Sequence, residues 1–293
     1  MERFLQYLFV GLAAGSSYAL VALGLVLVYQ ASRVLNFAHG EIAAFATFIA
    51  YTLLLAQFPY WAAAGLALLS GAVVAAAFYG GVLIPAQRRD ASHLNQVIMT
   101  LGLALVLEGA AAFFWGTQPQ AFQIPLSQTR TWMLGPVTMS ELSLGTLGIG
   151  LLCALLLYSL IQRTRVGKAM RAISENLTAA QTLGIPTRPL LALSWALAAL
   201  LGAIAGILLA PALYLDPYFM LDPFLKGFAA AILGGLNSLP GAIVGGLLLG
   251  VLESLSGAYI AIQFKNTLAF LIIIVVLLVR PEGLLGREFK ERV

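Results

Sequence analysis

The chain is poor in charged residues and contains a single cysteine. Lys, Arg, Asp and Glu make up 10% of its 293 residues, whereas soluble globular proteins carry about 25%, so a soluble globular chain is excluded. The single cysteine, Cys153, excludes an intrachain disulfide and gives no basis for metal or redox chemistry. The sequence has no GxxxxGK[ST] nucleotide motif and no paired histidines for a metal. We expect no cofactor on this chain, and any use of ATP must occur on another chain.

Long apolar runs make up most of the sequence, and 61% of the residues are hydrophobic. A helix crosses the hydrocarbon core with about 20 residues. One run, 224–258, is too long for a single helix and is interrupted by GGLNSLPG (Gly234 to Gly241). We predict an all-α polytopic membrane bundle of about eight segments, forming one transmembrane domain over residues 1–293. The remaining runs are 4–29, 41–57 (shorter), 61–86, 95–115, 142–162, 189–213 and 264–280.

The loop charges predict the orientation in the membrane. Lys and Arg resist translocation and mark the cytoplasmic side. Loops 30–40, 87–94, 163–188 and 281–293 are net basic or carry Arg, whereas loop 116–141 has one Arg and one Glu. We therefore expect the N-terminus outside and the C-terminus in the cytoplasm. An even number of crossings must then follow loop 163–188, so run 224–258 is either a re-entrant pair or two short helices.

The interruption of that run has a counterpart in the first half. Leu35 to Ile42 aligns with Leu236 to Ile243 at an offset of 201, and Leu, Asn, Gly and Ile recur in register. Paired, interrupted apolar segments are typical of internally duplicated transporters. The pattern indicates an internal repeat, parallel or inverted. Glycines four apart further predict close helix packing: Gly11 and Gly15, Gly202 and Gly206, Gly241 and Gly245, Gly246 and Gly250.

Polar residues within apolar segments are the candidates for a translocation path. A charge near the middle of a span costs about 2.5–3.5 kcal/mol, so each one calls for a reason. Glu108 and Glu253 either line a polar route or pair structurally between helices, and Lys226 can reach the membrane interface. For His39, beside a helix start, capping or packing is favoured over proton transfer. The full candidate set for the path or the broken helices is Asn36, His39, Gly40, Glu41, Glu108, Asn237, Gly241 and Glu253.

The segment 163–188 is the one long, strongly basic polar stretch outside the apolar runs. Met170, Ile173, Leu177 and Ala180 recur at steps of three and four and predict one short amphipathic helix. Gly184 is expected to end it as a C-terminal cap. A capped amphipathic helix at the cytoplasmic face indicates a docking element for a partner. The alternative is a helix that lies on the lipid surface.

Four stretches together resemble the smaller membrane-spanning permease of branched-chain amino acid ABC importers, and the resemblance runs nearly end to end. They are GLVLVYQASRVLNFAHGEIAAF (Gly24 to Phe45), RTRVGKAMRAISENLTAAQTLGI (Arg163 to Ile185), AAILGGLNSLPGAIVGGLLLGVLE (Ala230 to Glu253) and LLVRPEGLLG (Leu277 to Gly286). Two departures, at Ala46 to Phe48 and at Asn237, leave the substrate open among branched-chain and other amino acids, amides and urea.

The resemblance implies partners and a mechanism. A second permease forming a heterodimer, two ATP-binding subunits and an external substrate-binding protein are implied, with transport by alternating access. Loop 163–188 resembles the loop that such permeases insert into a groove on the ATPase. We expect the coupling residues to be Arg171, Glu175, Ala179, Ala180 and Gly184, and Ala180→Glu to uncouple transport.

Three other functions remain open from the residues alone. An ion-coupled secondary transporter also has broken helices and buried carboxylates, but it does not need a capped basic helix. A passive channel for a small polar solute would use the glycine-rich runs as a pore. An intramembrane enzyme is the most distant alternative, because no catalytic pair is present.

Overall fold

A computed structural model describes residues 2–260, 265–280 and 282–286, and helices account for most of them. Six helical stretches in these residues are long and apolar enough to cross a membrane, and α2 is a shorter apolar helix. This confirms the predicted polytopic helix bundle. The helices are α1 (Glu2–Ser32), α2 (His39–Leu55), α3 (Tyr60–Phe78), α4 (Ile84–Gln87), α5 (His93–Trp115), α6 (Glu141–Arg163), α7 (Arg165–Glu175), α8 (Leu177–Thr182), α9 (Thr187–Leu213), α10 (Leu221–Gly234), α11 (Leu239–Tyr259) and α12 (Lys265–Val279).

A small β-ribbon is the one departure from an all-α fold in the described residues. Strand β1 (Thr131–Leu134) pairs antiparallel with β2 (Val137–Ser140). The loop between them is only Gly135 and Pro136, and Gly135 has a φ of +64°. A tight type II′ turn needs a positive φ at its first position, and Pro136 fixes a negative φ at the second. The ribbon was not predicted, because we assigned residues 116–141 only as an external loop.

The chain folds into two compact units that are interleaved in sequence. Unit 1 comprises Met1–Val26, Leu126–Ala154 and Leu225–Val293, and unit 2 comprises Leu27–Pro125 and Leu155–Phe224. Helices α1, α6 and α10 each contribute residues to both units. Interrupted segments 33–38 and 235–238 fall in different units, and each precedes a helix. The internal repeat itself stays a prediction.

In unit 2, helix α9 packs closely against α2 and α3. A Cβ added to Gly202 would lie 3.0 Å from Cε1 of His39, and one on Gly206 would lie 2.5 Å from Oγ1 of Thr47. Small residues at this spacing let two helix backbones approach closely. The predicted packing role of the Gly202 and Gly206 face is therefore confirmed.

In unit 1, helices α1 and α11 cross with their backbones nearly in contact. A Cβ on Gly246 would lie 2.5 Å from both Cα and N of Ala19, and one on Gly250 would collide with Gly11 and Gly15. These are the glycines predicted to pack. Because lipid tails are as apolar as the helices, close van der Waals contact of this kind is a main source of helix association in a membrane.

The long run 224–258 is broken where the sequence indicates. Helix α10 ends at Gly234 and α11 begins at Leu239, so the predicted interruption is confirmed. The backbones of Gly234 and Gly241 lie in close contact, and so do those of Gly245 and Ala230. The two helices thus form an antiparallel hairpin, the arrangement that a re-entrant pair and two short helices would share.

Pro240 belongs to the start of α11. It lies in the first turn of α11, where its missing N–H would have no helical partner. Ser238 precedes it as the N-cap, and its hydroxyl accepts a hydrogen bond from the Gly241 amide at 3.1 Å. Ser238 and Pro240 therefore start α11, and they do not disrupt a helix already formed.

The chain returns to this turn after α12. The amides of Leu284 and Leu285 donate to the carbonyls of Leu233 and Gly234, at 2.8 and 3.1 Å. Residues 282–286 thereby supply donors for carbonyls at the C-terminal end of α10, which a helix leaves unsatisfied.

Candidate coupling and translocation sites

The basic segment 163–188 folds as two short helices, α7 and α8, whereas the sequence predicted one. Asn176 lies between them with extended dihedrals (φ −154°, ψ 104°). Its side chain accepts a hydrogen bond from the Ala179 amide at 2.9 Å. Asparagine competes with helix continuation in this way and favours N-cap positions. The prediction of a single helix through Leu177 was therefore wrong.

The end of α8 matches the prediction for Gly184. This glycine has a φ of +74°, the left-handed conformation that glycine reaches without strain. The Gly184 amide donates to the Gln181 carbonyl and the Ile185 amide to the Ala180 carbonyl, both at 3.0 Å. This pair of bonds defines a Schellman C-cap. Gly184 is confirmed as the cap and fixes where α8 stops.

Burial separates the five predicted coupling residues into two groups. Ala180 is only 2% exposed within this chain itself, and Arg171 is half-buried and donates from Nη1 to Gln162 Oε1 at 2.6 Å. Glu175, Ala179 and Gly184 are exposed.

Ala180 is consequently unsuitable for testing docking. A carboxylate placed there would disrupt the packing of this chain before it met any partner. Leu183, which was not among the predicted coupling residues, is 80% exposed. The structure therefore presents Leu183 on this surface, where we had expected Ala180.

The interrupted segment 33–38 of unit 2 is stabilised by side chains that satisfy its backbone groups. Asn36 Oδ1 accepts from the Ala38 amide at 3.1 Å. Thr100 of α5 accepts from the Phe37 amide at 3.1 Å, and its hydroxyl also lies 3.3 Å from the Leu35 carbonyl. Irregular backbone at membrane depth requires such partners. Asn36 thus latches the break, and Thr100 is a latch residue that no local sequence signal identified.

The first turn of α2 follows this break and is almost completely buried. His39 is 1% exposed, and neither ring nitrogen has a hydrogen-bond partner among the described residues. Ala38 occupies the N-cap of α2 without a side-chain hydrogen bond, so His39 does not cap this helix. It packs against α9 at Gly202. A Cβ on Gly40 would lie 2.9 Å from Cβ of Phe224, so Gly40 serves close packing.

Two acidic groups meet beside this turn. Glu41 is buried, and Glu108 of α5 is half-buried and close enough to interact with it electrostatically. Glu108, one of the candidates for the path, is thus near the first turn of α2. A direct role of either carboxylate in transport stays a prediction.

Unit 1 contains a buried ion pair that the sequence did not reveal as a pair. Lys226 Nζ of α10 lies 2.8 Å from Glu253 Oε1 of α11, and their side chains are 8% and 2% exposed. The ammonium also lies 5.6 Å from the ring centroid of Tyr18 on α1, a cation–π distance. Of the two alternatives for Glu253, the structure shows pairing between helices. Lys226 is held inside the protein and does not reach outwards to the interface.

The other unit 1 candidates lie at the turn between α10 and α11. Gly241 provides the close approach to Gly234, and Asn237 Oδ1 would lie 3.2 Å from a Cβ on Gly286. These residues therefore belong to the junction between the helix hairpin and residues 282–286.

Comparison with known proteins identifies the kind of protein that has this architecture. Residues 7–278 match the family described as "Branched-chain amino acid transport system / permease component". The chain is 34% identical to the high-affinity branched-chain amino acid transport system permease protein LivH of Escherichia coli, over 99% of this chain and 98% of that protein. It is 35% identical to the corresponding BraD protein of Pseudomonas aeruginosa, with the same coverage. The chain belongs to this permease family.

The permease is thus the non-catalytic, multi-pass membrane component of an ABC transport system. An ABC permease operates with ATPase and substrate-binding partners. This assignment confirms the resemblance drawn from the sequence motifs and favours it over the carrier, channel and enzyme alternatives. A solved structure of PsaBC from Streptococcus pneumoniae in complex with Fab is similar over 95% of the permease and 92% of that chain, with a TM-score of 0.50 and 16% identity. That likeness supports the fold alone.

We expect His39→Leu to raise the thermal stability of the permease and to reduce transport. A buried polar group without a partner costs about 1–3 kcal/mol, and an apolar side chain of similar size removes this cost. Such a cost is normally retained where function requires it. The measurements are the melting temperature in detergent and ATP-dependent uptake in proteoliposomes.

Ser17→Ala is the matched control. Its hydroxyl is also buried without a hydrogen-bond partner in the described part of the chain, but it lies in unit 1. This variant should gain stability with unchanged uptake. Wild-type uptake by His39→Leu would show that the imidazole serves packing only.

Proposed function

We propose that this permease carries branched-chain amino acids, or closely related small amides, by alternating access. The support is similarity over almost the full length to LivH and BraD, both described as parts of high-affinity branched-chain amino acid systems. The Autoinducer 2 import system permease protein LsrC of Yersinia pestis is more distant, at 28% identity over 86% of this chain. The substrate class is therefore taken from the relatives that match more fully.

The assembly that fits this function has five components in all. A second, different permease subunit pairs with this one, two ATP-binding subunits dock on the cytoplasmic face, and an external binding protein delivers the substrate. ATP-driven closure of the ATPases moves the docking segments of the two permeases and switches the helices between inward and outward states.

The proposed orientation places the N-terminus outside and the C-terminus in the cytoplasm. Within unit 2, the Arg33 guanidinium donates to the Ser174 carbonyl at 3.0 Å, which groups loop 30–40 with the docking segment. Gln120 and Leu215 form a backbone bridge through two hydrogen bonds of 2.9 and 2.8 Å, which groups loop 116–125 with the segment after α9. Basic residues concentrate in the first group, as a cytoplasmic location requires.

The docking segment is α7 and α8, and the observation that carries this proposal is Leu183 on a rigid, capped turn. Leu183 is 80% exposed next to Gly184, and the Schellman cap fixes its position. An apolar side chain presented at a fixed point on a polar face is typical of an anchor that fills a pocket on a partner. Glu175 and Ala179 are exposed on the same segment and complete the proposed contact surface.

Within the membrane, His39, Glu41 and Glu108 are our candidates for the translocation path. His39 and Glu41 are buried in the first turn of α2 in unit 2, and Glu108 is near enough to interact electrostatically with Glu41. Buried ionisable groups in membrane helices commonly mark substrate or ion routes. Asn36, Gly40, Asn237 and Gly241 hold the broken segments in shape. Glu253 stabilises the hairpin through Lys226.

We expect Leu183→Asp to abolish co-purification of the ATPase subunits and ATP-dependent leucine uptake. A carboxylate buried in an apolar pocket without a partner costs several kcal/mol, enough to release a docked subunit. Because the side chain is exposed in this chain, the variant should insert and fold normally. Affinity purification of the complex and uptake into proteoliposomes containing the binding protein are the measurements.

Met133→Asp is the control, since Met133 is 83% exposed but lies in the β-ribbon. It should retain the ATPases. If Leu183→Asp keeps its ATPases and transports at the wild-type rate, the docking proposal is wrong. Uptake by this chain alone under an ion gradient would instead support a secondary carrier.

A further inference from the structure

Arg33 occupies a strained position at the end of α1. The helix ends at Ser32, and Arg33 has a φ of +56°. Residues other than glycine rarely adopt this left-handed conformation, which is disfavoured by the contact of Cβ with the backbone. Helices commonly end on one residue in this conformation, and the Arg33 amide donates to the Tyr29 carbonyl at 2.9 Å. The turn at Arg33 therefore ends α1.

The Arg33 guanidinium reaches from the end of α1 to the end of α7. Its Nη2 donates to the Ser174 carbonyl at 3.0 Å, and its Cζ lies 5.9 Å from the ring centroid of Tyr29. Ser174 lies in the last turn of α7, whose carbonyls lack intrahelical donors and carry the negative end of the helix dipole. A cation held against a tyrosine ring is well suited to this contact, because the ring limits the rotamers it can adopt.

A cavity lies between the same elements. It has a volume of about 400 Å³, and its walls include Gln30, Arg33, His93, Ser174, Glu175 and Leu177. Side-chain packing between the docking segment and the ends of α1 and α5 is therefore interrupted here. The Arg33–Ser174 hydrogen bond spans this cavity and connects α7 to the interrupted segment 33–38.

Beyond Arg33, the chain is held firmly as far as α2. The Thr100 hydroxyl of α5 accepts a hydrogen bond from the Phe37 amide at 3.1 Å, and Asn36 Oδ1 accepts one from the Ala38 amide. The next residue, His39, begins α2 inside the protein. The Ser174 carbonyl is thus connected, through Arg33 and this short hydrogen-bonded segment, to the first turn of α2.

We propose that Arg33 is a positioning residue that transmits movement of α7 and α8 to α2. This rests on the proposed function, in which α7 and α8 dock on the ATPase and the first turn of α2 borders the path. Arg33 touches neither the substrate nor ATP. Arg33 couples ATP hydrolysis to transport, so its loss should allow hydrolysis to continue without transport.

The test is Arg33→Gln in the complete transporter, reconstituted with its ATPases and binding protein. Co-purification of the ATPases and ATP hydrolysis should persist, while uptake per ATP hydrolysed should fall on the order of ten-fold, within the normal range of coupling between distant sites. Arg33→Lys keeps a cationic donor and should recover only part of the coupling. Arg89→Gln removes an exposed arginine from a neighbouring basic loop and should match the wild type.

An unchanged ratio of uptake to hydrolysis in Arg33→Gln would overturn the proposal. Loss of the ATPases in Arg33→Gln, in parallel with uptake, would also overturn it, since Arg33 would then only support the docking segment. If Arg33→Gln does not fold, Arg33→Lys decides: a lowered ratio supports transmission through the guanidinium, whereas a wild-type ratio contradicts it. Failure of the docking proposal is distinguished separately, because it appears as retained ATPases in Leu183→Asp.

Discussion

Cells that express Lys226→Ala or Glu253→Ala are expected to contain little folded permease. Each substitution breaks the buried Lys226–Glu253 pair and leaves the opposite charge in the interior, and breaking a buried pair in this way costs about 3–5 kcal/mol. That loss is comparable with the whole stability of many domains, about 5–15 kcal/mol. The pair joins α10 to α11, and Tyr18 of α1 lies over the same ammonium. We therefore expect all three helices to lose their packing together.

The double variant Lys226→Met/Glu253→Leu distinguishes the loss of a partner from the loss of the pair. Two apolar side chains of similar volume leave no charge at this site, so the stability should return close to that of the wild type. Arg130→Ala, which removes an exposed charge, is the control for charge loss. Monodisperse yield and melting temperature in detergent are the measurements. Single variants as stable as the wild type would show that water reaches this site.

The second large effect is expected at the crossing of α1 and α11. Gly246→Leu should prevent folding, because even its first carbon would lie 2.5 Å from backbone atoms of Ala19. Backbone atoms cannot move aside as a flexible side chain can, so the two helices must separate and lose their contacts along the crossing. Overpacking of a core typically costs about 1–3 kcal/mol and more where the backbone must shift.

Gly102→Leu makes the same chemical change where no atom lies within 4 Å of the added Cβ. At this position, replacing the helical glycine should raise the free energy of unfolding by up to about 1 kcal/mol. Both variants are compared by yield and melting temperature. Equal stability of the two would mean that the close crossing of α1 and α11 does not exist in the membrane.

The parts of the fold that follow from apolar length and periodicity were predictable. Run 4–29 became α1, and the excess length of run 224–258 required the break that occurs before Leu239. The break at Asn176 was missed because the apolar stripe continues through it, while a single side-chain hydrogen bond decides the backbone. The β-ribbon was missed because strands of four residues produce too short a pattern to stand out in a loop.

The residues of the candidate sites were largely predictable from the sequence, but the contacts between them were not. Glu253 and Lys226 each stood out as a charge in an apolar run, yet only the hairpin brings together residues 27 positions apart. Thr100 and Arg33 gave no signal, because a threonine in an apolar helix and an arginine after one are both ordinary. Their roles arise from backbone groups on distant segments, which sequence periodicity does not encode.

The contact of residues 282–286 with the turn after α10 has a consequence for synthesis. The carbonyls of Leu233 and Gly234 receive their donors from Leu284 and Leu285, which the ribosome adds only after α11 and α12. The hairpin is therefore delivered to the membrane before its turn can be completed. A chain that ends before residue 284, even after α12, lacks the protein donors for these two carbonyls.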